Sequence, residues 1–166
     1  KFQGWTHRGS ILSSFILKFT TEDAEYIELL YNRIIMNVET VREYCLNKKG
    51  VTESFPFDDV SLVVKVMNKM FALIDLEEAN HIALKCDPEK AIELREHYSG
   101  IEGAYHFNKK YWNSVRFESD VDDKLMKELI DHSYDEVIKK FTKKLRAEYD
   151  ALPWYIPGSI DSYQRD

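Results

Sequence analysis

The cationic and aromatic chemistry of this chain is concentrated in Lys65, Lys69, Lys85, His106, Lys109, Lys110 and Trp112. Lys65 and Lys69 flank a predicted hairpin turn, and Lys85 closes a strand. His106, Lys109 and Lys110 surround a second turn, with Trp112 in the strand that follows. If those turns share one edge of a sheet, their ammonium groups form a patch that can hold phosphate oxygens as point charges. Trp112 or Tyr111 would then be placed to stack on a base. The ordinary alternative is solvated lysines at strand ends and an indole that anchors the sheet–helix core, since large aromatics usually pack inside.

The run Asp131-His132-Ser133 holds the residue types of a catalytic triad. Its spacing forbids the chemistry. Consecutive helical residues point about 100° apart, so acid, base and nucleophile cannot line up. Ser133 and Tyr134 are expected against the sheet, with Ser133 hydrogen-bonding locally and Tyr134 bonding its hydroxyl at the edge of the core. Phosphate-loop, dinucleotide and nucleophile-elbow glycine patterns do not occur, and the five histidines show no ligand spacing. No catalytic residue, metal ligand or cofactor is therefore assigned.

The chain has 166 residues, 44% of them apolar, which suits one domain with an added segment. Lys and Arg number 23 against 29 Asp and Glu, a formal charge of -6. That balance argues against a generic nucleic-acid coat but permits a local basic face. Cys45 and Cys86 read as free thiols of a reducing cytoplasm. No apolar run is long enough for a membrane span. The stretch from Ile11 to Phe19 is too short, and too interrupted by Lys18, to be a signal sequence.

These residues need elements to position them. Helical periodicity over 22–34, capped by Thr21, predicts a helix in an N-terminal extension, 1–35, whose status the sequence leaves open. The domain proper spans 36–149. It begins with a helix from about Val38 that closes at Lys48, Lys49 and Gly50. Val60 to Val66 and Lys69 to Asp75 read as strands joined by the turn Met67-Asn68, since Asn tolerates positive φ. A third strand, His81 to Cys86, meets the helix start Asp87-Pro88. Ile101 to Ala104 reads as loop, Tyr105 to Phe107 as a short strand, and Tyr111 to Phe117 as the last strand. Asp120 is expected to cap one long final helix whose stripe includes Leu125, Leu129, Ile130, Val137, Ile138, Phe141 and Leu145. Lys139, Lys140, Lys143, Lys144 and Arg146 load the favourable end of its dipole. A tail, 150–166, is irregular because of Pro153, Pro157 and Gly158. The order α-β-β-β-α-β-β-α gives an α+β two-layer sandwich, an antiparallel sheet packed against helices.

Four of these segments, in order, resemble a known family. Lys65-Val66-Met67-Asn68-Lys69-Met70-Phe71-Ala72-Leu73 resembles its hairpin, and Leu84-Lys85-Cys86-Asp87-Pro88 its strand-to-helix junction. Tyr105 to Val115 resembles its central signature, and Ile130-Asp131-His132-Ser133-Tyr134 its last-helix motif. The chain is thereby similar, over about Met36 to Tyr149, to the MmcQ/YjbR family, with a CyaY-like (frataxin-like) fold. Phe71, Asp87, Pro88, Ser133 and Tyr134 then serve as structural motif residues. Met67-Asn68 stands where that family's hairpin commonly has Gly, which predicts a wider or differently twisted turn. The frataxin side of the likeness raises iron, which would need clustered carboxylates. The first helix offers only Glu39 and Glu43, Asp58-Asp59 precede a strand, and Asp120, Asp122 and Asp123 are accounted for by capping. Members are labelled DNA-binding, by likeness of shape to a winged motif. The resemblance therefore implies a DNA-binding protein, and the free thiols a cytoplasmic one. The alternative is a domain without enzymatic activity that binds a small anionic ligand or a protein.

Overall fold

Asn37 sets the first helix. Its side chain accepts the Thr40 N–H at 3.0 Å, while the Thr40 hydroxyl accepts the Asn37 N–H at 2.8 Å. This reciprocal cap satisfies two donors that a helix start otherwise leaves without partners. The computed structural model describes residues 37–153. They lie in the second of the two units into which the chain divides, Lys1–Ile35 and Met36–Asp166. The helix expected over 22–34 and the tail from 154 onward fall outside the described residues.

Helix α1, Val38–Leu46, is followed by β1 (Val51–Ser54), β2 (Ser61–Val66), β3 (Lys69–Asp75) and β4 (His81–Lys85). Then come α2 (Pro88–His97), β5 (Ile101–Gly103), β6 (Trp112–Arg116), α3 (Asp123–Ile138) and α4 (Lys143–Ala151). The strands form one antiparallel sheet of order β1-β2-β3-β4-β6-β5. Leu62, Val64, Phe71, Ala72, Ile74, Ile82, Leu84 and Val115 form one cluster with Val41 and Cys45 of α1, Ala91 and Leu94 of α2, and the stripe of α3. Side chains alternate along a strand. Leu73 and Ala83 therefore face the other way, into a second cluster with Ala104, Trp112, Met70, Phe107 and Tyr111. The α+β assignment holds, with helices gathered on one face.

Several expected boundaries move. The hairpin turn is tight, with Met67 at φ 48° and Asn68 at φ 62°. Two positive φ values match the twist of the flanking strands, and pairing runs right up to Val66–Lys69. The irregularity sits further back. Val64 pairs with Ala72 but Lys65 with Met70, so Phe71 is the extra residue of a bulge.

Strand β1 lies in a stretch for which the sequence predicts no element. Its Glu53 receives Arg42 of α1 at 2.6 and 2.8 Å. The expected strand at Tyr105 to Phe107 is a turn, and strand pairing instead uses Ile101–Gly103. Asp120 does not cap the last helix: its carboxylate accepts the Ser99 and Gly100 N–H groups at 2.7 and 2.9 Å. Asp122 caps α3, accepting the Leu125 N–H at 2.7 Å.

The expected single long helix breaks after Ile138. Thr142 caps a new helix, accepting the Leu145 N–H at 3.2 Å, and Phe141 meets Tyr149 edge-on, with centroids 5.8 Å apart. No helix among the described residues is long and apolar enough to cross a membrane.

Candidate anion-binding site

Antiparallel register brings separated turns to one end of the sheet. Val66 pairs with Lys69 at the β2–β3 turn, and Lys65 with Met70. Lys85, the last residue of β4, pairs with Trp112, the first of β6. The Cys86 N–H donates to the Tyr111 carbonyl at 2.8 Å. Lys65, Lys69, Lys85, Lys110 and Trp112 therefore share this end.

Helix α3 is pinned there by one hydroxyl. The β3–β4 ladder stops at Ala72–Leu84, one residue short of Phe71 and Lys85. Ser133, fully buried, bridges the gap: its Oγ donates to the Phe71 carbonyl at 2.5 Å and accepts the Lys85 N–H at 2.8 Å. Ser133 thus bonds across to two strands rather than locally. The next residue, Tyr134, donates to the Lys49 carbonyl at 2.6 Å and meets the Phe71 ring edge-on. This anchoring delivers the end of α3, with Glu136 in its last turn and Lys139 and Lys140 just beyond it, to the same end of the sheet.

Three ammonium groups result. The Nζ atoms of Lys110 and Lys140 lie 5.5 and 5.7 Å from the Tyr111 ring centre, and that of Lys85 lies 5.6 Å from the Trp112 ring. Cations over ring faces are attracted by the negative quadrupole. Burial pushes the Lys85 ammonium below its ordinary pKa, repulsion from Lys140 adds to that, and Glu136 opposes both. Glu136 is itself engaged: the Lys139 ammonium donates to it at 2.7 Å and holds it below the usual carboxylate range. Among the described residues no carboxylate lies within ion-pair distance of Lys65, Lys69, Lys85, Lys109, Lys110 or Lys140. An anion placed among Lys85, Lys110 and Lys140 would relieve their mutual repulsion.

The remaining candidates are distributed differently. Lys69 is exposed and Lys65 half-buried on the neighbouring hairpin. Lys109 turns toward the outer strand. Its carbonyl accepts from Arg95 at 2.9 Å, and a Cβ placed on Gly103 would meet its Cδ at 2.9 Å. His106, at φ 62°, lies beside Tyr105 with ring centres 4.0 Å apart. Trp112 is only 7% exposed and stacks on Phe107 at 4.7 Å. Its indole anchors the second cluster, on the face away from the helices, and offers no free face to a base.

The triad types part company as geometry requires. Asp131 is held by Tyr44 of α1 and by Lys48 just past its end. His132 Nε2 accepts the Asp87 N–H at 3.2 Å, so the ring is neutral, and burial lowers its pKa. Asp87 caps α2, accepting the Glu89 N–H at 3.0 Å, with Pro88 at the first helical position. No group of three His, Cys, Asp or Glu converges as a metal site among the described residues. Glu39 bonds Arg42, and Asp58 accepts from Val60 and Ser61.

Lys140, read from the sequence as a helix-end charge, and Tyr105, read as part of a signature, were not among the expected anion-binding residues. Lys140 lies just past the end of α3, which Ser133 anchors, and no sequence word points from it to Tyr111.

Comparison with known proteins follows these elements. A family model described as YjbR matches residues 46–136. The uncharacterized protein YjbR of Escherichia coli strain K12 is 28% identical over 112 residues, covering 67% of this chain and 95% of that protein. The uncharacterized protein YbdF of Escherichia coli O157:H7 is 32% identical over 107 residues, 64% of this chain and 88% of that one. The crystal structure of a Deinococcus radiodurans protein, DR2400, with a DUF419 domain, superposes with TM-score 0.66 at 38% identity, covering 75% of this chain and 94% of that one. A Pseudomonas syringae protein superposes with TM-score 0.53 at 27% identity, covering 61% of this chain and 98% of its own. These matches support the YjbR half of the resemblance; the frataxin half has only the sequence words behind it.

Proposed function

The chain belongs to the YjbR family, and from that premise we propose that it binds DNA by its phosphates at the lysine-rich end of the sheet. One observation carries the reading: Lys85, Lys110 and Lys140 gather around Tyr111 and Trp112, while Glu136, the carboxylate that faces Lys85, is already engaged by Lys139. Lys65 and Lys69 on the next hairpin extend the track. The acidic body, formally -6, opposes approach at long range. Binding is therefore weak and steeply salt-dependent. Each phosphate contact contributes about 0.9 to the slope of log affinity against log salt, so three to five lysines give a slope of roughly -3 to -4.5.

The half-buried state of Lys85 favours a second reading, a small anionic ligand held by the same three ammonium groups, since desolvation strengthens an ion contact.

Fluorescence anisotropy of a labelled duplex between about 50 and 200 mM salt tests the first reading. Wild type is expected to show the linear decline, and Lys140→Glu to abolish retention. Absence of binding at the lowest salt would remove the DNA reading. Saturable binding of inorganic pyrophosphate, lost in the same variant, would then establish the second.

A further inference from the structure

The loop between β5 and β6 is built as two consecutive turns. The Phe107 N–H donates to the Ala104 carbonyl at 3.3 Å, which puts Tyr105 and His106 at the corner of the first. The Tyr111 N–H donates to the Asn108 carbonyl at 2.9 Å and the Lys110 N–H to the Asn108 side chain at 3.0 Å, which puts Lys109 and Lys110 at the corner of the second. An aromatic corner and a cationic corner thus follow one another in a single loop at the lysine-rich end of the sheet.

The aromatic corner does no packing. Tyr105 is 78% exposed, while the neighbouring aromatics Phe107, Tyr111 and Trp112 all join the second cluster. Its ring rests against His106 with centres 4.0 Å apart and planes at 55°. His106 occupies the third position of its turn at φ 62°, a conformation that ordinarily selects glycine. The Tyr105 ring is thus left in solvent beside His106, with no share in either hydrophobic cluster.

We propose that Tyr105 and His106 form a stacking platform for an unpaired nucleic-acid base, with the flanking phosphate on Lys110, so that this site prefers single-stranded over duplex DNA. The inference rests on the DNA reading above and narrows its substrate class. Bases in a duplex present their faces to one another, whereas every unpaired base has a free face that an aromatic ring can take without regard to sequence. Adjacent cations then hold the backbone, which gives sequence-tolerant binding with a salt-dependent component.

The test compares three labelled probes on the full chain: an oligothymidylate of about a dozen nucleotides, a duplex of equal length, and a single strand of equal length with abasic sugars. The inference expects the oligothymidylate to bind most tightly. Tyr105→Ala should weaken it at least about fivefold, the lower bound for losing one stacked base, and leave the salt slope unchanged. His106→Gly removes the ring at a position whose backbone conformation glycine adopts freely, and should also weaken binding. Equal affinity for the thymidylate and abasic strands, or an unchanged Tyr105→Ala, overturns the platform. If Lys140→Glu still abolishes binding in that case, the DNA reading survives without it. If no probe binds, both fall.

Discussion

Replacing Ser133 with alanine removes the single hydroxyl that joins α3 to the two strands carrying Phe71 and Lys85. The β3–β4 ladder ends at Ala72–Leu84, and Ser133 Oγ supplies the partner of the Phe71 carbonyl at 2.5 Å while accepting the Lys85 N–H at 2.8 Å. Ser133 is 0% exposed, so water cannot simply step in. Each buried backbone group left without a partner costs about 1–3 kcal/mol. The better helix propensity of alanine returns about 0.5 kcal/mol. A net loss of roughly 1.5–5.5 kcal/mol is expected, a large share of the 5–15 kcal/mol typical of a domain. Urea unfolding followed by far-ultraviolet circular dichroism should show the midpoint falling by about 1–2 M with an unchanged slope. A loss below about 0.5 kcal/mol would mean that the two backbone groups find other partners. The hydroxyl would then not be what pins the helix beside the lysines.

Gly100→Ala is expected to destabilise by about 1–3 kcal/mol in the same assay, because a Cβ there would lie 2.1 Å from Ser119 Oγ and 2.4 Å from its Cβ. Full stability in that variant would show that Ser119 yields freely. Burial first, and Lys90 second, hold His132 below its ordinary pKa of 6.5. The unfolded chain then binds the proton more readily, so stability is complete above 6.5 and is lost as pH falls from there toward the folded value. A urea-midpoint profile against pH should flatten over that window in His132→Gln, and an identical profile would refute the assignment. Burial pushes the Cys45 thiol up to about 12 and the Cys86 thiol up to about 11. Both should resist a disulfide reagent at about pH 8 until denaturant is added; rapid labelling of the native protein would contradict their burial.

Local chemistry made much of the fold legible. Asp87-Pro88 announced α2, and Met67-Asn68 announced the hairpin, because capping oxygens and positive φ act within a few residues. Strand β1 was hidden because its only large apolar residue is Val51 and its Glu53 is present for Arg42, a partner on another element. The break between α3 and α4 was hidden because Val137, Ile138, Phe141 and Leu145 keep helical spacing straight through it, while Thr142 caps the second helix. The site was legible to the same extent. Strand register alone brings Lys65, Lys69, Lys85 and Lys110 to one end of the sheet. Lys140 arrives through the anchoring of α3 by Ser133 and Tyr134, and Trp112 is withdrawn by Phe107 and the rest of the second cluster, tertiary facts that no short word of sequence encodes.

The most direct measurement is an isotope-edited nuclear magnetic resonance titration that follows the lysine side-chain signals of the full chain as DNA is added. Lys85, Lys110 and Lys140 are expected to move together. Lys124 and Lys144, paired with Glu128 and Glu148 on exposed helix surfaces, should stay in place. Movement confined to Lys124, Lys144 or other lysines remote from Tyr111, or no movement at all, would contradict a phosphate site at this end of the sheet.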